Sequence, residues 1–125
     1  MSSAVLAGLR VLVVEDEMLV SLLIEDVLVD QQCVIVGPCD RLTGALEAAR
    51  TEIIDLAVLD VNLAGSKVYP VANVLEGRGI PFLLLSGYGK TAVPNDHPEW
   101  RVCSKPFRPE ELVAMLTEQV RSGKS

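Results

Sequence analysis

Short apolar runs rich in valine, isoleucine and leucine recur along the chain, and such runs are typical of strands buried on both faces of a sheet. The predicted strands are Arg10–Val14, Cys33–Val36, Leu56–Leu59, Ile80–Leu85 and Arg101–Ser104. Segments between most of them place apolar residues at helical spacing, with polar residues on the opposite side. The predicted helices are Met18–Gln31, Asp40–Arg50 with Asp40 as the N-cap, Val68–Arg78 and Pro109–Val120.

The order of these elements predicts one domain of the α/β class. Strands that alternate with helices form parallel sheets covered by helices on both faces. We therefore predict a flavodoxin-like (βα)5 fold, a doubly wound five-stranded parallel sheet with strand order 2-1-3-4-5. Glycine and proline recur between residues 87 and 98, so the fourth helix should be short or irregular. The domain is expected over residues 9–121, between a flexible N-terminus at 1–8 and a flexible tail at 122–125.

Composition and charge exclude several classes of protein. The chain has 125 residues, of which 50% are hydrophobic and 22% are charged, and its formal net charge is -6. The hydrophobic fraction excludes intrinsic disorder, and the negative charge argues against direct binding of nucleic acid or of an anionic membrane surface. No apolar run is long enough to span a bilayer. The three cysteines lack metal-ligand spacing and are interpreted as reduced thiols, which predicts a cytoplasmic protein.

Polar residues follow the predicted strands at the edge where a doubly wound sheet binds its ligands. Glu15 and Asp16 follow the first strand and Asp60 follows the third, while Ser86 and Lys105 follow the fourth and fifth. Three carboxylates in one cleft repel one another, and a divalent ion with oxygen ligands relieves that repulsion, which predicts a Mg²⁺ site. Beside the metal, the Asp60 carboxylate could accept a phosphoryl group, whose charge Ser86 and Lys105 would help to neutralise.

Four motifs, in this order and at these spacings, resemble the receiver domain of two-component response regulators, the CheY-like superfamily. They are VLVVEDE at Val11–Glu17, LDVN at Leu59–Asn62, LSG at Leu85–Gly87 and KPF at Lys105–Phe107. Each motif alone is weak, but the four together are highly specific. The resemblance covers about residues 9–120, nearly the whole chain.

The resemblance implies a role for each polar residue in these motifs. Asp60 would be the phosphoacceptor, Ser86 would hydrogen-bond the phosphoryl group, and Lys105 would form an ion pair with it. The Mg²⁺ ligands that the resemblance implies are Glu15, Asp16, Asp60 and the backbone carbonyl of Asn62. The peptide bond before Pro106 is expected to be cis, a form that is readily accessible only before proline.

The sequence also departs from the common receiver pattern and resembles an atypical subgroup. Ser86-Gly87 stands where Thr-Ala or Ser-Ala is usual, and Val102 replaces the aromatic residue that normally relays the switch. By resemblance, Tyr88 would shape the access of water to the phospho-aspartate. We hypothesise that the segment 87–100 becomes ordered on phosphorylation.

These observations predict a signalling module rather than an enzyme. It would be the phosphoacceptor receiver module of a two-component phosphorelay, taking a phosphoryl group from phosphohistidine onto Asp60 with Mg²⁺ and changing conformation. The expected partners are a histidine kinase or histidine phosphotransferase and a downstream protein. A stand-alone protein and a receiver domain of a hybrid histidine kinase are both compatible with the sequence. The protein is expected to be a monomer or a weak homodimer.

Two other functions use similar residues. A haloacid-dehalogenase-like phosphatase also has a nucleophilic aspartate with Mg²⁺ and a lysine, but it carries a second aspartate two residues later, where this chain has Asn62. Steady turnover of a phosphomonoester would favour that alternative. A nucleotide-binding Rossmann-like module needs a glycine-rich turn after the first strand, where this chain has Glu15-Asp16-Glu17.

Overall fold

The computed structural model describes residues 5–87 and 93–122 of the chain. Its strands are β1 (Arg10–Val14), β2 (Val34–Cys39), β3 (Leu56–Asp60), β4 (Asn62–Leu63), β5 (Ser66–Lys67), β6 (Phe82–Ser86) and β7 (Val102–Ser104). Its helices are α1 (Met18–Asp30), α2 (Leu42–Thr51), α3 (Tyr69–Gly77) and α4 (Pro109–Ser122). Among the described residues, no helix is long and apolar enough to cross a membrane.

The main sheet confirms the predicted topology. Its five strands pair in parallel in the order β2-β1-β3-β6-β7, which is the predicted order 2-1-3-4-5 once a small hairpin is set aside. In the described part of the segment between β6 and β7, which comprises residues 87 and 93–101, the chain forms turns rather than a helix. Residues 88–92, which include Tyr88 and part of the segment expected to become ordered, lie outside the described residues.

The sheet separates two apolar clusters, which explains why its strands are apolar on both faces. Successive residues of β3 point to opposite sides, so Ala57 and Leu59 belong to one cluster, and Leu56 and Val58 to the other. α2 and α3 cover the first cluster, while α1 and α4 cover the second. The central strands are thereby packed on both faces, and they fix where the polar residues at their ends lie.

The prediction that Gly37-Pro38 ends the second strand was wrong. β2 continues to Cys39, with a shift in its register against β1 between Leu12 and Val14. Gly37 permits this because it adopts a φ of 93°, and a Cβ there would lie 2.9 Å from the Cys39 nitrogen. Proline is tolerated because β2 is an edge strand, where one side needs no ladder hydrogen bond. The Glu15 N–H then donates to the Cys39 carbonyl at 3.0 Å.

Several other boundaries differ from the prediction by one or two residues, and two of them concern helix ends. Asp40 is not the N-cap of α2, because the helix begins at Leu42 and its N-cap residue is Arg41. Within the segment 1–8, Leu6 is fully buried in the core under α1 and α4. At the other end α4 extends to Ser122, two residues beyond the predicted helix.

The β4–β5 hairpin directly after Asp60 was not predicted. Asn62 pairs with Lys67 and Leu63 with Ser66 in an antiparallel ladder. Its turn contains two residues at positive φ, Ala64 at 49° and Gly65 at 92°. The hairpin projects from the carboxyl edge of the main sheet, where the candidate site lies.

Candidate functional site

Four strands of the main sheet deliver polar side chains to one cleft. β1, β3, β6 and β7 are neighbours and run in the same direction, so their carboxyl ends share one edge of the sheet. Asp16 follows β1, Asp60 and Ser86 end β3 and β6, and Lys105 follows β7. These four residues line an open cleft with a volume of about 420 Å³. The Lys105–Pro106 peptide bond is cis, as the resemblance implies.

The three predicted carboxylates lie together at this cleft, which Asp16 and Asp60 line and beside which Glu15 is buried. Oxygen atoms of Glu15, Asp16 and Asp60 lie within 4.8 Å of one another. Glu15 and Asp60 are 2% and 5% exposed, whereas Asp16 is partly exposed at the mouth of the cleft. Water therefore screens the repulsion between the two buried acids only weakly.

Backbone N–H groups orient the three carboxylates. The Glu17 N–H donates to Oε2 of Glu15 at 3.2 Å, and the Asn62 N–H donates to Oδ1 of Asp60 at 3.3 Å. Across a much longer stretch of sequence, the Ala64 N–H donates to Oδ2 of Asp16 at 2.9 Å. Two of these donors belong to the β4–β5 hairpin, so the hairpin fixes the positions of two acids.

Lys105 supplies the positive charge of the cleft. Its Nζ lies 3.3 Å from Oδ1 of Asp60 and 3.3 Å from Oε1 of Glu15, and it donates to Oε2 of Glu15 at 3.4 Å. A more distant ion pair joins the lysine to Oε1 of Glu17 at 3.9 Å. Glu17 was not among the predicted site residues, although it also lines the cleft. The run of acids at 15–17 was the only feature of the sequence that pointed to Glu17 as a site residue, because its contact with Lys105 is visible only in the folded chain.

Ser86 and Asn62 also lie where the sequence predicted them. Ser86 is buried, 3% exposed, and it lines the cleft beside Asp60. Asn62 opens β4 at the rim of the same cleft. Their roles toward a phosphoryl group and toward a metal ion stay predictions, as do the roles of the acids and of Lys105.

The fold agrees with the comparison to known protein families. The sequence profile of the "Response regulator receiver domain" matches residues 11–117. The chain belongs to this family. No curated protein matches this receiver domain, but several solved structures do.

SdrG from Sphingomonas melonis Fr1 is 35% identical to this receiver domain, with a TM-score of 0.78 over 96% of this chain and 99% of that chain. A structure of the BeF3-activated conformation of SdrG, from Pseudomonas melonis Fr1, is 34% identical, with a TM-score of 0.75 over 96% of this chain and 99% of that one. The receiver domain of PhyR from Erythrobacter litoralis is 25% identical, with a TM-score of 0.83 over 95% of each chain. The chain spans 51% of PhyR from Brucella abortus, which is 22% identical with a TM-score of 0.80 over 94% of this chain.

The charges in the cleft shift the pKa of two of its groups. Burial and the neighbouring Glu15 carboxylate raise the pKa of Asp60 from 3.8 to about 7, despite the opposing effect of Lys105. Burial lowers the pKa of Lys105, but the Asp60 and Glu15 carboxylates outweigh this effect and raise it. In this receiver domain Lys105 is therefore positively charged near neutral pH, and the ionised form of Asp60 is unfavourable in the folded state.

The residues present fit a bound Mg²⁺ ion. Oε1 of Glu15 is buried and accepts no hydrogen bond, although Lys105 Nζ lies 3.3 Å from it. The two buried acids have more negative charge than one lysine neutralises, and the open cleft leaves room for water ligands. Carboxylates with several waters are the set that Mg²⁺ prefers. Glu15, Asp16, Asp60 and the Asn62 carbonyl are the candidates to hold it, the first three being brought together in this structure.

Proposed function

We propose that this receiver domain takes a phosphoryl group from the phosphohistidine of a histidine kinase or histidine phosphotransferase onto Asp60, with Mg²⁺ in the acidic cleft. The observation that carries the proposal is the meeting of Glu15, Asp16 and Asp60 with Lys105 in one cleft. The phosphorylated form would act on a downstream protein partner. The module works in the cytoplasm as a monomer or weak homodimer, and its own chemistry is limited to gaining and losing this group.

The transfer breaks the P–N bond of phosphohistidine and forms a P–O bond to a carboxylate oxygen of Asp60. Histidine leaves as the neutral imidazole once its ring is protonated, and the acyl phosphate is later hydrolysed to inorganic phosphate. Bound Mg²⁺ would neutralise charge on the phosphoryl oxygens. Asp60 must be ionised to attack. The backbone N–H of Asn62, 3.3 Å from Oδ1, restricts the orientation of the carboxylate.

Lys105 and Ser86 are the groups that respond to the new charge. The Lys105 ammonium, which pairs with both Asp60 and Glu15 in this structure, would form an ion pair with a phosphoryl oxygen. The Ser86 hydroxyl would donate a hydrogen bond to another phosphoryl oxygen. Ser86 ends β6 and Lys105 follows β7 at this edge of the sheet, so their movement transmits the chemical change to the loops after β6 and β7. Lys105→Ala should leave the adduct possible but weaken the conformational response.

Exposed apolar residues beside the cleft provide a surface for the phosphodonor. Met18 and Leu19 open α1 immediately after the acids at 15–17, and they are 74% and 80% exposed. Exposed apolar side chains that form a contiguous patch are typical of protein contact sites. We propose that the domain carrying the phosphohistidine packs on this end of α1 while its ring reaches Asp60.

Replacing Leu19 by glutamate should lower the rate of transfer from a phosphorylated histidine phosphotransferase by about tenfold or more, the effect of losing roughly 1.4 kcal/mol of contact. Labelling by a small phosphodonor should be unchanged, because such a donor makes no contact with α1. Ile53→Glu is the matched control, since Ile53 is 70% exposed but lies before β3, at the opposite edge of the sheet. Equal rates for Leu19→Glu and wild type with the protein donor would refute this docking surface.

The proposed function is tested by incubating the chain with a small phosphodonor and measuring its intact mass. We expect one phosphoryl group per chain with Mg²⁺ present and none with excess chelator. BeF3⁻ with Mg²⁺ should also bind, since the relative SdrG has a BeF3-activated conformation. A chain that stays unlabelled with Mg²⁺, or that turns over a phosphomonoester steadily without labelling, contradicts the proposal.

A further inference from the structure

A second cluster of metal-ligating side chains lies at the opposite edge of the sheet from the acidic cleft. It consists of Glu76 in the last turn of α3, with His97 and Glu99 in the segment before β7. Trp100 anchors this segment by packing on Phe82, the first residue of β6, with ring centroids 5.3 Å apart. The cluster is therefore remote from Ser86 at the other end of the same strand, and the proposed function makes no use of it.

One imidazole nitrogen faces both carboxylates. Nδ1 of His97 lies 3.3 Å from Oε2 of Glu99 and 3.9 Å from Oε1 of Glu76. One ligand atom from each residue lies within 4.8 Å of the other two, so small side-chain rotations would bring all three to bonding distance of one ion. Histidine nitrogen and carboxylate oxygen are the mixed donors that first-row divalent metals bind, and a three-residue set leaves positions open for water.

Surrounding contacts restrict the orientation of two of these donors, His97 and Glu76. The His97 ring stacks on Trp100 at a centroid distance of 4.0 Å and an angle of 7°. Trp100 Nε1 donates to Oε2 of Glu76 at 3.2 Å, which turns the other oxygen toward His97. On the far side of the ring, Nε2 lies 4.0 Å from a carboxylate oxygen of Asp96. That distance is too long for a hydrogen bond, so Asp96 contributes only negative charge beside the ring.

We propose that Glu76, His97 and Glu99 bind a divalent first-row transition ion, with Zn²⁺ as the probe. His97 is the ligand that distinguishes this site from the all-oxygen cleft around Asp60, where Mg²⁺ fits. The ion would fasten the segment before β7 to the end of α3. The competing explanation is a set of ion pairs around a protonated histidine, which would bind no metal.

Binding is tested by calorimetric titration of the whole chain with Zn²⁺ in excess Mg²⁺, which occupies the acidic cleft. We expect one Zn²⁺ per chain, with at least tenfold weaker binding in His97→Gln and in Glu99→Gln. Asp26→Asn is the matched control, because it removes an exposed acid from α1 and should leave the affinity unchanged. Wild type that binds Zn²⁺ no more tightly than His97→Gln would overturn the proposal.

A second measurement reports on the site without any substitution. The chain has one histidine and one tryptophan, so the imidazole NMR signals and the indole fluorescence come from His97 and Trp100 alone. Zn²⁺ should shift the His97 ring signals at one equivalent, and Co²⁺, which quenches nearby indoles, should reduce Trp100 emission. Ring signals that stay in place through several equivalents of Zn²⁺ would leave only the ion-pair explanation.

Discussion

Asp60→Asn is expected to make the metal-free protein more stable, by about 1–3 kcal/mol in the free energy of unfolding near pH 7. The reason is the charge placed in the cleft. Asp60 is 5% exposed and lies with Glu15 and Asp16, so its ionised form is unfavourable in the folded state. Asparagine keeps the shape of the side chain and removes the charge. Urea unfolding followed by circular dichroism measures the difference.

The stabilising effect should depend on pH in a defined direction. A carboxyl whose pKa rises on folding, here from 3.8 to about 7, weakens the fold when it is ionised. This loss of stability is absent below the pKa of Asp60 in the unfolded state, 3.8, and complete above its pKa in the folded state, about 7. The advantage of Asp60→Asn should therefore be largest above about pH 7 and shrink steadily toward about pH 4.

Mg²⁺ should offset most or all of the advantage of Asp60→Asn over the wild type. An ion at about one hundred times its Kd stabilises a folded protein by about 2.7 kcal/mol, and Asp60→Asn removes one of its ligands. Asp26→Asn serves as the control, because it removes an equal charge from an exposed position on α1. If the Asp60→Asn protein were less stable than wild type without metal, repulsion among the carboxylates would not be destabilising the fold.

Lys105→Ala should have the opposite effect and lower the free energy of unfolding by about 2–4 kcal/mol without metal, since it leaves buried carboxylates without their cation. Lys105 is the ion-pair partner of both Asp60 and Glu15, and the side chain of Glu15 is 0% exposed. The loss should increase from about pH 5 to about pH 8, because Asp60, with a pKa raised to about 7, is protonated at the lower value and then needs no counter-charge. The raised pKa of Lys105 keeps the wild-type lysine charged throughout.

The matched control for Lys105→Ala is Lys67→Ala, which removes an exposed lysine from β5 and should change the free energy by less than about 0.5 kcal/mol. Two conditions should rescue Lys105→Ala. Excess Mg²⁺ replaces the missing positive charge, and adding Asp60→Asn removes one of the uncompensated negative charges. A Lys105→Ala protein as stable as the Lys67→Ala protein would mean that the cleft is well solvated and that the lysine has no electrostatic role.

The sheet and the site acids could be predicted because both follow from regular features of the sequence. A strand buried on both faces must be apolar at consecutive positions, as Ala57 and Val58 are, and this pattern needs no knowledge of the rest of the chain. Parallel strands then share a carboxyl edge, so Asp60 and Lys105, far apart in sequence, were expected in one cleft.

What could not be predicted depends on contacts between distant segments or on very short elements. Two-residue strands such as Asn62–Leu63 show no periodicity, so the hairpin that holds Asp16 was missed. Gly37-Pro38 is typical of a strand end, and the positive φ of Gly37 that lets β2 continue to Cys39 is visible only in the folded chain. The burial of Leu6 and the ion pair between Glu17 and Lys105 are likewise visible only after folding.

The central claim is that the Asp60 carboxylate itself carries the phosphoryl group. The most direct measurement is to label the chain with a small phosphodonor and Mg²⁺, reduce it with borohydride and sequence its peptides, because this reagent converts an aspartyl phosphate to homoserine. We predict homoserine at position 60 in wild type, and none anywhere in Asp60→Asn. Homoserine at another position, or label retained by Asp60→Asn, would contradict the account.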